Sequence, residues 1–508
     1  MSANRTRVEL MNGLALPLDQ VPQVEFPAFR DQLLESVAAG QRVSALFARR
    51  PQPGPEVELL LVLADDARSR LHVSRCPIRS AGYPSLTPDC PQLHLFEREI
   101  AEETGLRPEG HPWLKPVRYL AAREGDPELP PGTGDFYRVE GDEVHEVAVG
   151  PVHAGVIEPG HFRFQVLGEE VLHLEIALGY QHRGVERALA GHSARGLHLA
   201  ETLAGDSSVA HATAWCQALE ALADCPAPLR AQALRGVGLE LERLANHVGD
   251  LGALAGDVGF LPTSSWCGRL RGDFLNLSAL LCGNRFGRGL VRPGGLGFDV
   301  DPARISLILE RLEGFERDTR AAITLLWDTP SAMARFEDTG VLAQETAREL
   351  GLVGPAARAS GLARDVRLDH PAGIWRFSHI PLASAGAGDV FARAQVRWTE
   401  IQRSLEFIRD QLRSLAGGPI RAAAADGADR LTSGLAPDML AVSLVEGWRG
   451  EVCHTLLTDG AGRIARCKVV DPSFHNWSGL ALALRGQQIS DFPLCNKSFN
   501  LSYCGHDL

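Results

Sequence analysis

The stretch from Arg183 to about Ala255 places the strongest constraint on the fold, because nearly all of it has the pattern of buried helix. It is rich in alanine and leucine, and its apolar residues recur at helical spacing. The pattern is interrupted within Glu201–His211, where Gly205-Asp206-Ser207 brings together a glycine and two short polar residues. We therefore expect helices on both sides of a break whose backbone and polar side chains face a pocket.

Composition limits the class of protein. The chain has 508 residues, 45% of them hydrophobic, which is enough to build the cores of two or three domains. Its formal net charge of −12 argues against a general nucleic-acid surface, and we expect no nucleic-acid partner. No apolar run is long enough to span a bilayer, and the N-terminus lacks the apolar core of a signal peptide. We expect a soluble, intracellular protein, at most peripheral to a membrane.

Cysteine spacing and glycine motifs exclude several cofactors. The ten cysteines are scattered, and no pair has Cys-x-x-Cys spacing. This predicts reduced, mostly buried thiols rather than a zinc ribbon or a cluster-binding quartet. The chain also lacks a P-loop and a glycine-rich dinucleotide fingerprint, so we expect no direct NAD binding.

The chain is predicted to be an α+β protein of two domains. Residues 1–121 form a small α/β domain, residues 122–147 a linker rich in glycine, proline and acidic residues, and residues 148–508 a larger, mostly helical domain. In the first domain we predict helices over Phe26–Ala39 and Leu93–Gly105 and strands over 43–47, 57–63 and 70–76. The second opens with a β-hairpin, 162–166 and 171–176, that turns at Gly168.

Two motifs in the first domain carry a family resemblance. Phe96-Glu-Arg-Glu-Ile-Ala-Glu102 and Glu109-Gly-His-Pro-Trp-Leu114 resemble the signature of the C-type subunit of NADH-quinone oxidoreductase, the respiratory complex I. The resemblance implies a docking scaffold. Taken alone, the same residues indicate a solvated helix face and a rigid turn, in which His111 is structural.

The second domain resembles the D-type subunit of complex I and the large subunits of group 4 [NiFe] hydrogenases. The segments that carry this resemblance are Val149–Phe164, Leu178–Glu186, Val445–His454, Arg466–Leu480 and Lys497–Leu508. The wording around Glu158-Pro-Gly-His is closest to the large subunit of formate hydrogenlyase, which also fuses C-type and D-type domains. The resemblance implies a hydrogenase-like helical fold behind an N-terminal β-hairpin.

The four metal-binding cysteines of such hydrogenases are missing. In the register that the resemblance gives, their positions are Ala204, Ser207, Ser502 and Gly505, and Cys504 lies one residue out of step. A [NiFe] centre needs soft sulfur donors, which alanine, glycine and neutral serine do not provide. We therefore expect that this chain binds no metal and is not an active hydrogenase.

The resemblance also implies a quinone site in the vacated cavity. His153 and His161 are the candidates for binding the quinone, whereas the tyrosine position of complex I is Gly205 here. Asp206 and His211 could form a carboxylate–imidazole pair for proton transfer, or could instead be a helix cap and a satisfied core histidine.

Three further residues near this cavity are candidates for a role in it. Glu201 and Arg449 are retained charged residues and complete the set of catalytic candidates. Trp448 stands where the family usually has proline, and we hypothesise that it fills volume vacated by the metal centre.

A charged stripe on the helix that follows has two interpretations. Glu240, Arg243 and His247 lie near one face by helical spacing. Such a stripe is usually solvated, whereas the resemblance implies a buried network between helices.

Taken together, the resemblance implies the large subunit of a membrane-associated oxidoreductase complex. The chain would lie peripherally on the cytoplasmic side of the cell membrane, with an iron–sulfur small subunit and antiporter-like membrane subunits as partners. It would pass electrons from the partner's iron–sulfur cluster to a quinone and bind no cofactor itself. The alternative is a non-catalytic structural or coupling subunit of an ion-translocating complex. An open cavity would favour the first, and a cavity filled by side chains such as Trp448 the second.

Overall fold

The computed structural model describes residues 6–51, 56–120, 130–191 and 193–508. The first part of the predicted linker, residues 122–129, therefore lies outside the described residues, as do the first five residues. The strands are β1 (Val8–Leu10), β2 (Leu14–Pro17), β3 (Arg42–Arg49), β4 (Val57–Asp65), β5 (Arg70–Ile78), β6 (Gly82–Pro84), β7 (Arg107–Glu109), β8 (Val144–Val149), β9 (His161–Leu167), β10 (Glu170–Ala177), β11 (Val291–Arg292), β12 (Gly295–Leu296), β13 (Met439–Gly447), β14 (Gly450–Thr458) and β15 (Ile464–Val470).

The helices make up most of the chain between the hairpin and the C-terminal strands. They are α1 (Phe26–Ala38), α2 (His94–Thr104), α3 (Val185–Leu189), α4 (Ser193–Ala200), α5 (Ser208–Ala223), α6 (Leu229–Asp257), α7 (Leu261–Cys282), α8 (Pro302–Trp327), α9 (Pro330–Phe336), α10 (Gln344–Glu349), α11 (Gly354–Ala359), α12 (Val366–Asp369), α13 (Val390–Arg413), α14 (Arg430–Ser433), α15 (Pro472–Ala483), α16 (Phe492–Phe499) and α17 (Tyr503–Asp507). This mixture of helix and strand agrees with the predicted α+β class.

The N-terminal sheet is antiparallel, in the order β1-β5-β4-β3. Its central strand β4 is buried along its whole length, which explains its nearly continuous run of leucine and valine. Helix α2 packs on β3 and ends at Gly105, whose φ of +76° is the left-handed conformation that glycine adopts readily. The predicted strands and both predicted helices are present here, with shifts of a few residues at their ends.

A second antiparallel sheet lies near the end of the chain, in the order β15-β14-β13-β2. Strand β2 comes from the N-terminal segment and pairs with β13, with Leu14 opposite Val442. One hydrophobic cluster also joins N-terminal residues such as Phe96 to C-terminal ones such as Phe474. The residues on either side of the predicted linker therefore share a core, while the domain boundary itself stays a prediction.

The helical layer is built around α6, which packs against α7 and α13. Helix α5 crosses β13 and β14, which places the start of α5 beside the turn between those strands. The predicted hairpin is present as β9 and β10, and β8 extends its sheet. Within the described part of the chain, no helix has the length and apolarity needed to cross a membrane. The ten cysteines are free, and all are buried except the partly exposed Cys504.

Candidate functional site

The predicted break between helices is present between Ala200, where α4 ends, and Ser208, where α5 begins. Its conformation is fixed from two directions. The backbone carbonyl of Asp206 accepts hydrogen bonds from Asn246 Nδ2 on α6 and from Trp448 Nε1, each at 2.9 Å. The break is thus attached both to the central helix and to the β13–β14 turn.

The β13–β14 turn consists of Trp448 and Arg449, between the paired residues Gly447 and Gly450. The backbone of Gly354 at the start of α11 packs directly on this turn. A Cβ atom at Gly354 would lie 2.1 Å from the carbonyl oxygen of Arg449, and its φ of +67° also favours glycine. The backbone of the turn therefore packs directly on α11 at Arg449 and Gly450.

Arg449 connects the break to the C-terminal tail. Its Nη1 and Nη2 atoms donate to the two oxygens of Asp206 at 2.6 and 2.7 Å, and its Nε donates to the carbonyl of Asn500 at 2.5 Å. The guanidinium carbon lies 3.9 Å from the centre of the Trp448 ring. Burial opposes the charge on Arg449, but Asp206 raises the pKa of this arginine above its ordinary value. The arginine is therefore a charged, buried junction.

The tail positions that correspond to metal-binding cysteines are occupied by other contacts. The hydroxyl of Ser502 accepts from the backbone N–H of Gly505 at 2.9 Å and so caps the short helix α17. A Cβ atom at Gly505 would lie 2.6 Å from the carboxyl carbon of Asp471. Burial, followed by the charge of Glu158, raises the pKa of the Cys504 thiol to about 12, so this thiol is protonated at neutral pH.

His211 belongs to a buried chain of imidazoles and a carboxylate. Its Nε2 lies 3.1 Å from Asp471 Oδ2, and its Nδ1 lies 3.1 Å from His454 Nε2. Of the two interpretations of these residues, the pair of His211 with Asp206 is not formed, because both ring nitrogens of His211 already have partners and Asp206 is bound to Arg449. His211 agrees with the alternative, a satisfied core histidine, whereas Asp206 makes no side-chain cap at the start of α5. Burial and the neighbouring His211 hold the pKa of His454 well below its ordinary value, so His454 is neutral.

The two loop histidines make contacts within their own loop. His153 Nε2 lies 2.9 Å from the carbonyl of Gly160. His161 Nδ1 lies 3.4 Å from the carbonyl of Gly150, and its Nε2 accepts from Arg163 at 3.3 Å. Burial lowers the pKa of His161, which agrees with a neutral ring in this arrangement. Their role in quinone binding stays a prediction.

Glu201 is the first residue of the break, directly after α4. Its carboxylate accepts from the backbone N–H of Gly289 at 2.6 Å, and its carbonyl accepts from Ser208 Oγ at 2.7 Å. Glu201 is 3% exposed. These contacts are those of a residue that fixes the α4–α5 connection to the loop after α7, and its catalytic role stays a prediction.

The charged stripe on α6 is buried, so its interpretation as a solvated face is wrong. Glu240, Arg243 and His247 are each at most 1% exposed. His247 Nε2 lies 2.6 Å from Glu400 on α13, and Arg243 donates to the carbonyl of Gly447 at 3.0 Å, next to the Trp448–Arg449 turn. The other members of this buried network are Arg358, Asp365, Arg367 and Glu446.

Trp448 is buried next to Asp206, and a small crevice lies on the other side of Asp206, towards α6 and α7. Trp448 is 1% exposed, as expected of a side chain that fills volume. The crevice that Asp206 and Glu242 line has a volume of about 10 Å³, enough for about one water molecule. Burial raises the pKa of Glu242 to about 8, although the backbone N–H groups of Val209 and Ala210 bind its carboxylate.

The four positions do not supply the ligands of a [NiFe] centre. Ala204 is fully buried and has no donor atom, and Ser207 Oγ accepts weakly from Arg449 at 3.4 Å. The Ser502 hydroxyl is used as a helix cap, and the Asp471 carboxylate occupies the space next to Gly505. The residues present therefore do not fit a binuclear thiolate site.

Three residues of this region were not identified from the sequence: Asp471, His454 and Glu158. The Asp471-Pro pair has the pattern of a helix N-cap, and its side chain does accept from Ser473 N at 2.8 Å. Nothing local marks His454, because its partner His211 is 243 residues away. Glu158 lies in a segment that carries the family resemblance and accepts from Cys504 N at 3.3 Å.

Comparison with known proteins gives a consistent family. Residues 257–507 match the family described as the respiratory-chain NADH dehydrogenase, 49 Kd subunit. The chain is 33% identical to the carbon monoxide-induced hydrogenase of Rhodospirillum rubrum over 70% of this chain and 97% of that protein. It is 30% identical to formate hydrogenlyase subunit 5 of Escherichia coli, over 83% of this chain and 76% of that protein.

A protein of complex I is similar to the same degree. The chain is 30% identical to NADH-quinone oxidoreductase subunit 4 of Thermus thermophilus, over 69% of this chain and 90% of that protein. The resemblance that the sequence motifs indicated is thereby confirmed. The chain belongs to the family of the respiratory-chain NADH dehydrogenase 49 Kd subunit, together with these hydrogenase and formate hydrogenlyase subunits.

Proposed function

We propose that this chain is the large subunit of a membrane-associated oxidoreductase complex resembling complex I and the group 4 hydrogenases, and that it holds no [NiFe] centre. The observation that carries the proposal is the Arg449 junction. It keeps the break and the C-terminal tail together through an arginine–carboxylate pair, while the four positions that would carry thiolates have none. The family's architecture is thus retained around a different set of contacts.

In this proposal the chain passes electrons from an iron–sulfur cluster on a small partner subunit to a quinone or similar acceptor. The chain itself binds no cofactor. The buried network around Glu240 and Glu400 continues from the Trp448–Arg449 turn into α13, which suits coupling between this site and the rest of a complex. Antiporter-like membrane subunits are the proposed partners on the other side, with the chain peripheral on the cytoplasmic face of the membrane.

The loop between β8 and β9 supports docking to a partner. Val152, Val156 and Ile157 are 74%, 87% and 54% exposed, although all three are apolar. An exposed cluster of apolar side chains on an otherwise acidic protein is typical of an interaction surface. This loop also carries Glu158, which contacts Cys504 in the tail, so a partner bound here would lie next to the Arg449 junction.

A second candidate is a non-catalytic structural or coupling subunit. The burial of Trp448 favours it, because a side chain packed at this place leaves less room for an acceptor molecule. Both candidates place the chain in the same complex, and they differ in whether an acceptor is reduced at this chain.

The test is affinity purification of the tagged chain from detergent-solubilised membranes, with partners identified by mass spectrometry. We expect an iron–sulfur small subunit and antiporter-like membrane proteins. Val156→Asp should lower their recovery, whereas Val341→Asp, a change at a 45% exposed valine elsewhere, should not. Recovery of the chain alone from the soluble fraction would contradict both candidates.

Quinone reduction by the purified complex then separates the two. Activity that falls at least tenfold in an assembled Asp206→Asn complex would support electron transfer at this chain. The coupling role would be supported if the assembled wild-type complex had no quinone reductase activity, or if the Asp206→Asn complex kept the full activity of the wild type.

A further inference from the structure

A large cavity lies away from the Arg449 junction, where the N-terminal part of the chain meets the hairpin and α15. Its volume is about 760 Å³, within the range of about 300–1,000 Å³ that is typical of small-molecule sites. Its walls come from α2, from the proline-rich arm after β7, from β10 and from α15.

Most of the wall is apolar. Its apolar lining residues include Leu95, Leu174, Ile176, Leu350, Trp477 and Leu482. Trp477 is 3% exposed, and its indole N–H has no hydrogen-bond partner among the described residues. Because a buried donor is seldom left without an acceptor, this N–H is a candidate contact for a bound molecule.

The residues that line the cavity carry more positive than negative charge. Among its described lining residues the ionised groups at neutral pH are Arg98, Lys115, Arg485 and Glu175, so cations outnumber carboxylates by two. Glu175 is already satisfied, because Lys115 Nζ lies 2.5 Å and Trp113 Nε1 3.0 Å from its Oε1. Arg98 and Arg485 therefore remain in excess in a chain whose net charge is −12.

The two excess arginines differ in their setting. Arg98 is partly buried and donates to the backbone carbonyls of Lys115 and Pro116 at 2.7 and 2.9 Å. The carboxylates of Glu175 and Glu102 act on its charge, but neither forms an ion pair with it among the described contacts. Arg485 lies in the turn that directly follows α15, where it is exposed at the rim of the cavity. The lining histidine His94 is neutral, because burial lowers its pKa to about 3.

We propose that this cavity binds a single-chain amphiphile with an anionic head group, such as a fatty-acid carboxylate. The hydrocarbon chain packs on the apolar walls, where its burial supplies most of the binding energy. The carboxylate lies at Arg98 and Arg485, and this charge complementarity selects an anion over a cation. Such binding is independent of the proposed electron-transfer function.

The test is titration of the full-length protein with laurate below its micelle concentration, followed by calorimetry. Dodecyltrimethylammonium is the matched cation. We expect saturable binding of one laurate per chain, with the cation bound at least tenfold more weakly.

Two variants locate the site. Ala481→Trp, which fills the cavity, should weaken laurate binding at least tenfold, while Ala321→Trp on an exposed face of α8 should not. Arg485→Glu changes an exposed residue and should weaken binding about three- to tenfold, with Arg317→Glu as its control. Absence of saturable binding, equal affinity for the cation and the anion, or unchanged binding in Arg485→Glu would overturn the proposal.

Discussion

At Arg449 the buried guanidinium meets acceptors from two segments almost 300 residues apart. Asp206 lies in the helix break and Asn500 in the tail, and both are bound by the same planar group. Arginine suits this position because its donors are arranged in a fixed fork, which a lysine ammonium does not offer. The pair thus connects the two segments that carry Ala204 and Ser207 on one side and Ser502 and Gly505 on the other.

Breaking this pair is the first prediction. Arg449→Met should lower the free energy of unfolding by about 2–4 kcal/mol, since Asp206 would keep its charge with its partner removed. This loss is smaller than the roughly 3–5 kcal/mol typical of breaking a fully buried ion pair, because the Asp206 side chain is 33% exposed. Urea unfolding of Arg449→Met, Asp206→Asn and the double variant measures it, and we expect a coupling of at least about 1 kcal/mol. Additive effects of the two changes would contradict the pairing.

Glu242 gives a prediction about pH. Because its pKa is raised to about 8 in the folded state, the folded protein binds more protons than the unfolded chain between about pH 4.5 and 8. The stability contributed by the protonated carboxyl is therefore present at low pH and lost as pH rises through this interval. Relative to wild type, Glu242→Gln should become more thermally stable as pH increases from 5 to 9. Glu310→Gln, at an exposed glutamate on α8, should show no such trend.

At the scale of the elements, the β13–β14 turn depends on the glycine that packs on it. Gly354→Ala should lower the free energy of unfolding by about 3 kcal/mol or more, because the new methyl group meets the Arg449 carbonyl and φ is positive. Gly268→Ala on an exposed part of α7, where nothing lies within 4 Å, should be neutral or stabilising by up to about 1 kcal/mol. Chemical denaturation of both variants compares them. Equal effects would show that the contact with the turn is unimportant.

The elements themselves were largely predictable, and the contacts between them were not. Helices α1 and α2 and the β9–β10 hairpin follow from local periodicity, which depends only on neighbouring residues. The pairing of Asp206 with Arg449 and of His211 with Asp471 joins residues 243 and 260 positions apart. Periodicity carries no information about such pairs. The family resemblance indicated which segments meet, but not which acceptor each side chain would choose.

At the scale of the whole molecule, Lys468 joins the two ends of the chain. Its ammonium lies 2.6 Å from both oxygens of Glu99 on α2 and 3.0 Å from Glu186, and it is fully buried. Burial lowers the pKa of Lys468 to about 8, and it is charged at neutral pH. Because Glu99 precedes the predicted linker and Lys468 follows it, this contact stabilises the association of the two parts.

Removing this charge tests that association. Lys468→Met should cost about 2–4 kcal/mol of unfolding free energy, because two buried carboxylates lose a cation while Arg118 and Arg466 still offset part of their charge. Lys497→Met, a substitution at a half-buried lysine on α16, should cost less than about 0.5 kcal/mol. The measurement is guanidinium unfolding followed by circular dichroism. A cost as small as that of the control would mean that the two parts associate without this ion pair.

The pairing of β2 with β13 has a consequence for the order of events on the ribosome. The backbone groups of Leu14 find their partners only after Val442, roughly 430 residues later, has been synthesised. At about 5–20 residues per second, this interval lasts about 20–90 s. During that time the backbone groups of β2 lack the partners that β13 provides, and they can pair with other nascent chains. Until β13 has been synthesised, β2 in a new copy of this protein is therefore open to pairing with other chains, and pairing with its own β13 ends this exposure.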